Sequence, residues 1–201
     1  MAEQNAWTKL TIENPDHSTW YIERFKTMAA EGRDLDGEAR LIDAMAQRNS
    51  HILDAGCGPG RVGARLQVLG HRVVGVDIDP VLIESATQEH PAPTWITGDL
   101  AELDLASAGI DDPFDIILSA GNVMTFLAPS TRQSVLSRLA DHLADDGRIV
   151  IGFGAGRDYD FDDFFRDVSA AGLQRHLELS TWDVEPFNAG SEFLVAVLCK
   201  A

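Results

Sequence analysis

The chain has 201 residues, of which 45% are hydrophobic and 24% charged, and its formal net charge is −16. This length and composition fit one globular domain with a sizeable core and argue against a disordered or fibrous protein. The acidic balance disfavours nucleic acid and anionic membranes as partners, because no basic run offsets it.

The first residues, MAEQNAWTKL, lack the basic and then apolar order of a signal peptide, and no apolar run approaches the roughly 20 residues that cross a bilayer. We therefore expect a cytoplasmic protein. Cys57 and Cys199 have neither a CxxC pattern nor a histidine cluster beside them, so the sequence predicts no disulfide and no metal site.

Two helices are predicted near the amino terminus. The first spans 17–30, where Tyr21, Phe25 and Met28 have helical spacing and Asp16 or Ser18 is the expected cap. The second spans 38–47, after a loop marked by two glycines. Residues 1–50 are thus expected to form a helical extension, or cap, on a core at 51–201.

From residue 51 the pattern changes to short apolar runs that alternate with segments of helix length. Strands are predicted at 51–55, 72–76, 94–97, 114–118 and 148–153, with helices at 61–69, 80–89 and 130–144 between them. Alternation of this kind is typical of parallel strands covered on both faces by helices. The fold class is therefore α/β, in a single domain.

The last quarter of the chain has a different pattern. A helix predicted at 161–171 precedes two strand-like runs, at 173–184 and 192–199, joined by a short turn around 186–190. A turn this short cannot make a parallel crossover, so these two strands are expected to be antiparallel.

A glycine-rich turn follows the first predicted strand and precedes a helix. Gly56, Gly58 and Gly60 alternate in the segment DAGCGPGR. Glycine allows a sharp turn and lets a ligand approach the main chain closely, so this turn is predicted to bind a cofactor. Residues 58–63 also fit GxGxxG, the fingerprint of dinucleotide-binding proteins.

Three aspartates stand at successive strand ends. Asp54, Asp77 and Asp99 are each one βα unit apart, so all three are expected at the edge where an open α/β sheet binds its ligand. A nicotinamide dinucleotide would bring a pyrophosphate to these carboxylates. S-adenosylmethionine (SAM) has no phosphate and carries an ammonium and a sulfonium, so the acidic edge favours it.

The segment 54–60 resembles the glycine-rich first motif of the class I SAM-dependent methyltransferases, and VDID at 76–79 resembles their acidic second motif. GDL at 98–100 is similar to their adenine-side motif. The resemblance implies a Rossmann-like, mostly parallel sheet of seven strands with an antiparallel last strand. It also implies SAM as cofactor and S-adenosylhomocysteine (SAH) as product.

Roles follow for the expected cofactor-binding residues. Asp77 would accept from the ribose hydroxyls, Asp99 from the adenine amino group, and Asp54 would orient the methionyl ammonium through the backbone or water. The full set is Asp54, Gly56, Gly58, Gly60, Asp77, Ile78, Asp99, Leu100, Gly121 and Asn122.

The acceptor is less defined. After the fourth strand the chain reads SAGNVM, where amino-methylating members of the family carry an Asn/Asp-Pro-Pro-aromatic motif, so a small-molecule acceptor is expected. A methyl sulfonium is already activated, and a general base is optional. His17 and Tyr21 are the candidates for one, although Tyr21 and Trp20 are interpreted first as core aromatics.

Two other functions stay open from the sequence. One is an NAD(P)-dependent oxidoreductase, which GxGxxG followed by Asp77 would also suit. The other is a regulatory protein that binds SAM without catalysis, since methyl transfer need not leave an acid–base signature.

Overall fold

The computed structural model describes residues 3–201. Three helices come first: α1 (Ala6–Glu13), α2 (His17–Ala30) and α3 (Gly37–Met45). The strands are β1 (His51–Ala55), β2 (Arg72–Asp77), β3 (Thr94–Thr97), β4 (Phe114–Ser119), β5 (Leu143–Gly154), β6 (Leu173–Leu179) and β7 (Phe193–Lys200). The remaining helices are α4 (Arg61–Val68), α5 (Pro80–Glu89), α6 (Val123–Phe126), α7 (Arg132–His142) and α8 (Phe161–Ala170).

The seven strands form one sheet in the order β3-β2-β1-β4-β5-β7-β6. The first five strands pair in parallel, and β7 lies antiparallel between β5 and β6. The predicted Rossmann-like α/β sheet with a reversed last strand is confirmed. The carboxyl ends of β1, β2, β3 and β4 consequently share one edge of the sheet.

Alternate residues of the central strands face two hydrophobic layers. In β1, Leu53 belongs to the layer covered by α7 and α8, and its neighbour Ile52 belongs to the layer covered by α3 and α4. All five residues of β1 are buried. A parallel strand with both faces covered is apolar throughout, which is why these segments lack the polar alternation of a half-exposed strand.

Several boundaries differ from the sequence-based expectation. β5 begins at Leu143, inside the segment predicted to be helical, and α7 begins at Arg132 after a single turn of 3₁₀ helix. β6 ends at Leu179 instead of continuing to Val184, because the chain turns back there: Ser180 N–H donates to the Glu185 carbonyl at 2.8 Å. Val184 has a φ of 67°, which a strand does not allow.

Two short helices, α1 and α6, are absent from the predicted elements. α1 has no buried residue over Ala6–Glu13, so its sequence has no apolar stripe to reveal it. Asp16 is the N-cap residue of α2, one of the two expected positions, but its side chain makes no capping hydrogen bond, and Ser18 is buried and bonded to Asp79. Within residues 3–201, no helix is long and apolar enough to span a membrane.

Candidate cofactor site

The glycine turn after β1 has the backbone that the sequence predicted. Gly56, Gly58 and Gly60 have φ values of 83°, 56° and 81°, a region that other residues rarely adopt. The N–H groups of Gly56 and Cys57 donate to the Val76 carbonyl at 2.8 and 3.1 Å, which ties the turn to β2. The turn is therefore held at the carboxyl edge of the sheet.

Only part of the glycine pattern faces open space. A Cβ on Gly58 would lie 3.7 Å from the Tyr21 ring, across a gap. A Cβ on Gly60 would lie 2.8 Å from the Trp95 ring, and one on Gly75 would lie 2.3 Å from it. Gly60 thus makes room for the Trp95 indole of β3 and does not line the cavity described below.

Asp77 lies at the end of β2 beside the glycine turn. Its Oδ2 accepts from Gly58 N at 2.8 Å and its Oδ1 accepts from Asp79 N at 3.0 Å. Burial raises the pKa of Asp77, and the N–H groups of Asp79 and Gly58 oppose that rise. Each carboxylate oxygen has two lone pairs, so one on each remains for a ligand.

The other two aspartates have different positions. Asp99 lines the same cavity as Asp77, and its Oδ1 accepts from Ala101 N at 2.9 Å. Asp54 is 2% exposed and accepts from Gly63 N at 3.0 Å, underneath the glycine turn. Burial raises the pKa of Asp54 to about 7. The three acids do not share a pocket: two meet at the cavity, and Asp54 supports the turn from below.

The cavity lies at the carboxyl edge of the sheet and has about 630 Å³ of empty volume, part of it open to solvent. Its lining includes these predicted residues: Gly56, Gly58, Asp77, Ile78, Asp99, Leu100, Gly121 and Tyr21. It also includes Asn5, Trp7, Leu82, Gly98, Ala120, Val123, Phe126 and Leu127, which the sequence did not single out.

Two further candidates lie beside the cavity without lining it. Asn122 has a φ of 67°, and its Oδ1 accepts from Gly154 N at 2.8 Å, so it joins the segment after β4 to β5. The His17 ring packs edge-on against the Trp7 ring, with ring centroids 5.0 Å apart. Neither side chain is among those that face the cavity.

The helices α1 and α2, called the cap below, contribute aromatic rings to the cavity. The Trp7 ring lies 5.3 Å from Tyr21 and 5.6 Å from Phe126, both edge-on. A Cβ on Gly121 would lie 3.8 Å from the Tyr21 hydroxyl, so Tyr21 also faces the segment that follows β4. Trp20, by contrast, is 53% exposed, and the expectation that it lies in the core is wrong.

Asp79 connects the cap to the sheet. It is 5% exposed, and its Oδ2 accepts from Trp7 Nε1 at 2.8 Å and from Ser18 Oγ. Its Oδ1 accepts from Val81 N at 2.9 Å as the N-cap of α5, a role typical of an aspartate that precedes a proline at the first helical position. The contacts with the cap could not be read from the sequence, because Trp7 lies 72 residues away.

The cavity lining is acidic and apolar. Among residues 3–201, the side chains that line it include Asp77 and Asp99 but no lysine, arginine or histidine. Arg61, the cation of the glycine turn, is paired with Glu38 at 2.7 Å and donates to the Leu35 carbonyl. A glycine turn, two acidic strand ends and an aromatic cap at this edge define an α/β protein that binds a nucleoside without phosphates.

Comparisons with known proteins agree with this class. A family model described as a methyltransferase domain matches residues 52–147. A TehB-like SAM-dependent methyltransferase from Corynebacterium glutamicum is 49% identical, with 94% of this chain and 100% of that chain covered and a TM-score of 0.89.

Two curated relatives match over shorter stretches. An uncharacterized methyltransferase of Mycobacterium tuberculosis is 35% identical over 114 residues, 55% of this chain and 54% of the relative. A malonyl-[acyl-carrier protein] O-methyltransferase of Pectobacterium atrosepticum is 30% identical over 82 residues, 41% of this chain and 32% of the relative. The match with each thus leaves a large part of the curated relative uncovered. The identity and coverage of the Corynebacterium glutamicum structure show the family: the chain belongs to the class I SAM-dependent methyltransferases.

Proposed function

We propose that this chain transfers the methyl group of SAM to a small-molecule acceptor in the cavity and releases SAH. The observation that carries the proposal is the cavity itself. Asp77 and Asp99 reach it from two strand ends, Gly58 and Gly121 open into it, and its described lining has no basic side chain.

The residues of the cavity fit the cofactor in three zones. Asp77 offers one free lone pair on each carboxylate oxygen to the ribose hydroxyls. Ile78 and Leu100 supply apolar surface for the adenine, and Asp99 an acceptor for its amino group. The backbones of Gly58 and Gly121 are left for the methionine end, since neither has a side chain to fill the gap below Tyr21.

SAM supplies an activated methyl group on a sulfonium, so the protein has to align the acceptor and exclude water. Trp7, Tyr21 and Phe126 provide the apolar enclosure for this. Burial raises the pKa of the Tyr21 phenol, which therefore stays protonated near neutral pH and can donate a hydrogen bond but not accept a proton. A general base on Tyr21 is accordingly not part of the proposal.

The supporting role of Asp54 is indirect. Its carboxyl group accepts from Gly63 N in the first turn of α4, directly after the glycine turn. We propose that it fixes the turn on which the methionine end rests. Gly60, through its contact with Trp95, fixes the same turn from the side of β3.

The charge of the lining weighs against a nicotinamide dinucleotide. The pyrophosphate would meet Asp77 and Asp99, while Arg61 is held by Glu38 away from the lining. The third glycine of the dinucleotide fingerprint is Gly63, where a Cβ would lie 3.0 Å from the Trp95 ring and 3.1 Å from the Asp54 carboxylate. Close packing is the role of this glycine in dinucleotide-binding folds too, so the fingerprint does not favour either ligand.

Calorimetry with SAM, SAH and NAD tests the ligand class, and the proposal requires binding of the first two. Tight binding of NAD without binding of SAM would refute it. Turnover then separates an enzyme from a regulatory SAM-binding protein. Incubation with methyl-labelled SAM and a small-molecule extract should give a labelled acceptor, and SAM binding without any labelled product would favour the regulatory role.

We also propose that the protein works in the cytoplasm. Cys57 and Cys199 are both free thiols, in agreement with a reducing compartment. Fractionation of cells that produce the tagged protein tests this location.

A further inference from the structure

The carboxylate of Asp79 is used on both of its oxygens. Oδ2 accepts from Trp7 Nε1 at 2.8 Å and from Ser18 Oγ, and Oδ1 accepts from Val81 N at 2.9 Å. Asp79 itself does not line the cavity. Two of its three donors come from the cap, one from α1 and one from α2, so this single buried group joins both helices to the end of β2.

α1 has few other fixed contacts, whereas α2 is also held by the buried Ile22 and by an ion pair between Lys26 and Glu89 at 2.9 Å. Over Ala6–Glu13, α1 has no buried residue. Ahead of it, Glu3 accepts from Ser130 N and Oγ at 3.1 and 2.7 Å on the protein surface. The edge-on contacts of Trp7 with His17, Tyr21 and Phe126 are individually weaker than a hydrogen bond to a buried carboxylate. The bond from the Trp7 indole N–H to Asp79 is therefore the strongest single contact that fixes this ring over the cavity.

The same segment also holds the predicted ribose acceptor. Asp79 N–H donates to Asp77 Oδ1 at 3.0 Å, so the residue that anchors the cap is bonded directly to the residue at the floor of the cavity. A displacement of the Asp79 backbone would change both the acceptor geometry of Asp77 and the placement of Trp7. Asp79 thus connects Asp77, which lines the cavity, with Trp7, which covers it.

We infer that Asp79 is a positioning residue that holds Trp7 and α2 closed over the nucleoside, and so sets how long the ligand stays bound. The inference rests on the proposed function, in which that ligand is SAM or SAH. Apparent affinity scales with the fraction of molecules in the binding-competent state. Loss of one hydrogen bond to a charged group lowers a closed-to-open ratio by about tenfold or more, since a tenfold change corresponds to about 1.4 kcal/mol.

The test uses SAH as the probe, with calorimetry for the affinity and stopped-flow displacement for the rate of release. Ser18→Ala removes one donor to Asp79 without touching the cavity, and Asp79→Asn leaves one acceptor oxygen for three donors. Both variants should release SAH about tenfold faster, with little change in the association rate. Ser169→Ala is the matched control, because Ser169 lies on α8 and donates only to the Phe165 carbonyl.

A spectroscopic measurement separates positioning from a general loss of stability. The Trp7 indole N–H gives its own NMR signal, and its hydrogen exchange should be slowed by SAH in the wild type and accelerated in Ser18→Ala. Trp20→Phe, a change at an exposed tryptophan of the same cap, should alter neither the exchange nor the release rate.

The results separate a failure of the proposed SAM-binding function from a failure of the role of Asp79. Failure of the wild type to bind SAH would overturn the proposed function and this inference with it. Normal binding by the wild type, together with unchanged release from folded Ser18→Ala, would overturn the role of Asp79 alone. Should Asp79→Asn not fold, Ser18→Ala still decides the matter.

Discussion

Replacement of Asp77 by alanine should weaken SAM binding by about 1.5–3 kcal/mol, the range for a hydrogen bond to a charged group. Each carboxylate oxygen already accepts one N–H, from Gly58 or from Asp79, and keeps one lone pair for a ribose hydroxyl, so the range corresponds to the loss of at least one such bond. The corresponding rise in the dissociation constant is roughly 10- to 150-fold.

Calorimetry at pH 8 measures this change, with thermal unfolding to show that the variant is folded. Asp111→Ala is a suitable control, since Asp111 is an exposed aspartate just before β4, at the opposite edge of the sheet. Because burial raises the pKa of Asp77, its carboxylate is protonated at a higher pH than that of an ordinary aspartate when the solution is acidified. The wild-type affinity for SAM should therefore begin to fall at that higher pH, and this fall should be absent from Asp77→Ala. Wild-type affinity in a folded Asp77→Ala protein would refute the ribose role.

Three other outcomes follow from the structure. Gly75→Ala should lower the free energy of unfolding by about 1–3 kcal/mol in urea denaturation, because its Cβ would lie 2.3 Å from the Trp95 ring; Gly98→Ala, whose Cβ would meet Val76 at an ordinary 3.5 Å, should change it much less. Asp54 binds its proton more tightly in the folded protein, with a pKa raised from 3.8 to about 7, so its contribution should make stability decrease as the pH rises across that interval. Urea titrations at several pH values should show a shallower decrease in Asp54→Asn, and identical slopes would contradict the assignment. Finally, Gly58→Ala should impair SAH binding in calorimetry, since φ at this position is 56° and the added methyl group would enter the gap below Tyr21; normal affinity would mean that the gap is not the ligand site.

The central strands were largely predictable because they are buried on both faces. The run at 51–55 marks β1 at its observed limits, and the β-branched and aromatic residues at 94–97 mark the partly exposed edge strand β3 at its limits too. Position along the chain then placed Asp77 and Asp99 at the same edge. Helix propensity misled the prediction only near Leu143, where pairing with Phe114 of β4 extends the strand backwards.

The cover of the cavity was not predictable in the same way. Trp7 lies in a helix without a buried face, so no periodic pattern marks it. Its partner Asp79 has the sequence position of a helix cap, before Pro80, and that position does not reveal that the second carboxylate oxygen accepts from Trp7. Asp54 was placed at the correct strand end, but strand position does not determine whether a carboxylate faces the ligand or the adjacent helix.

The indole of Trp95 has a consequence for how substitutions combine in this protein. It occupies the volume that side chains at positions 60, 63 and 75 would need, so these four sites form a mutually constrained group. A smaller residue at 95 would leave a void, and a methyl group at 75 would fill part of it. The two changes, each harmful alone, should therefore partly compensate in a double mutant, a non-additivity expected of residues in direct contact.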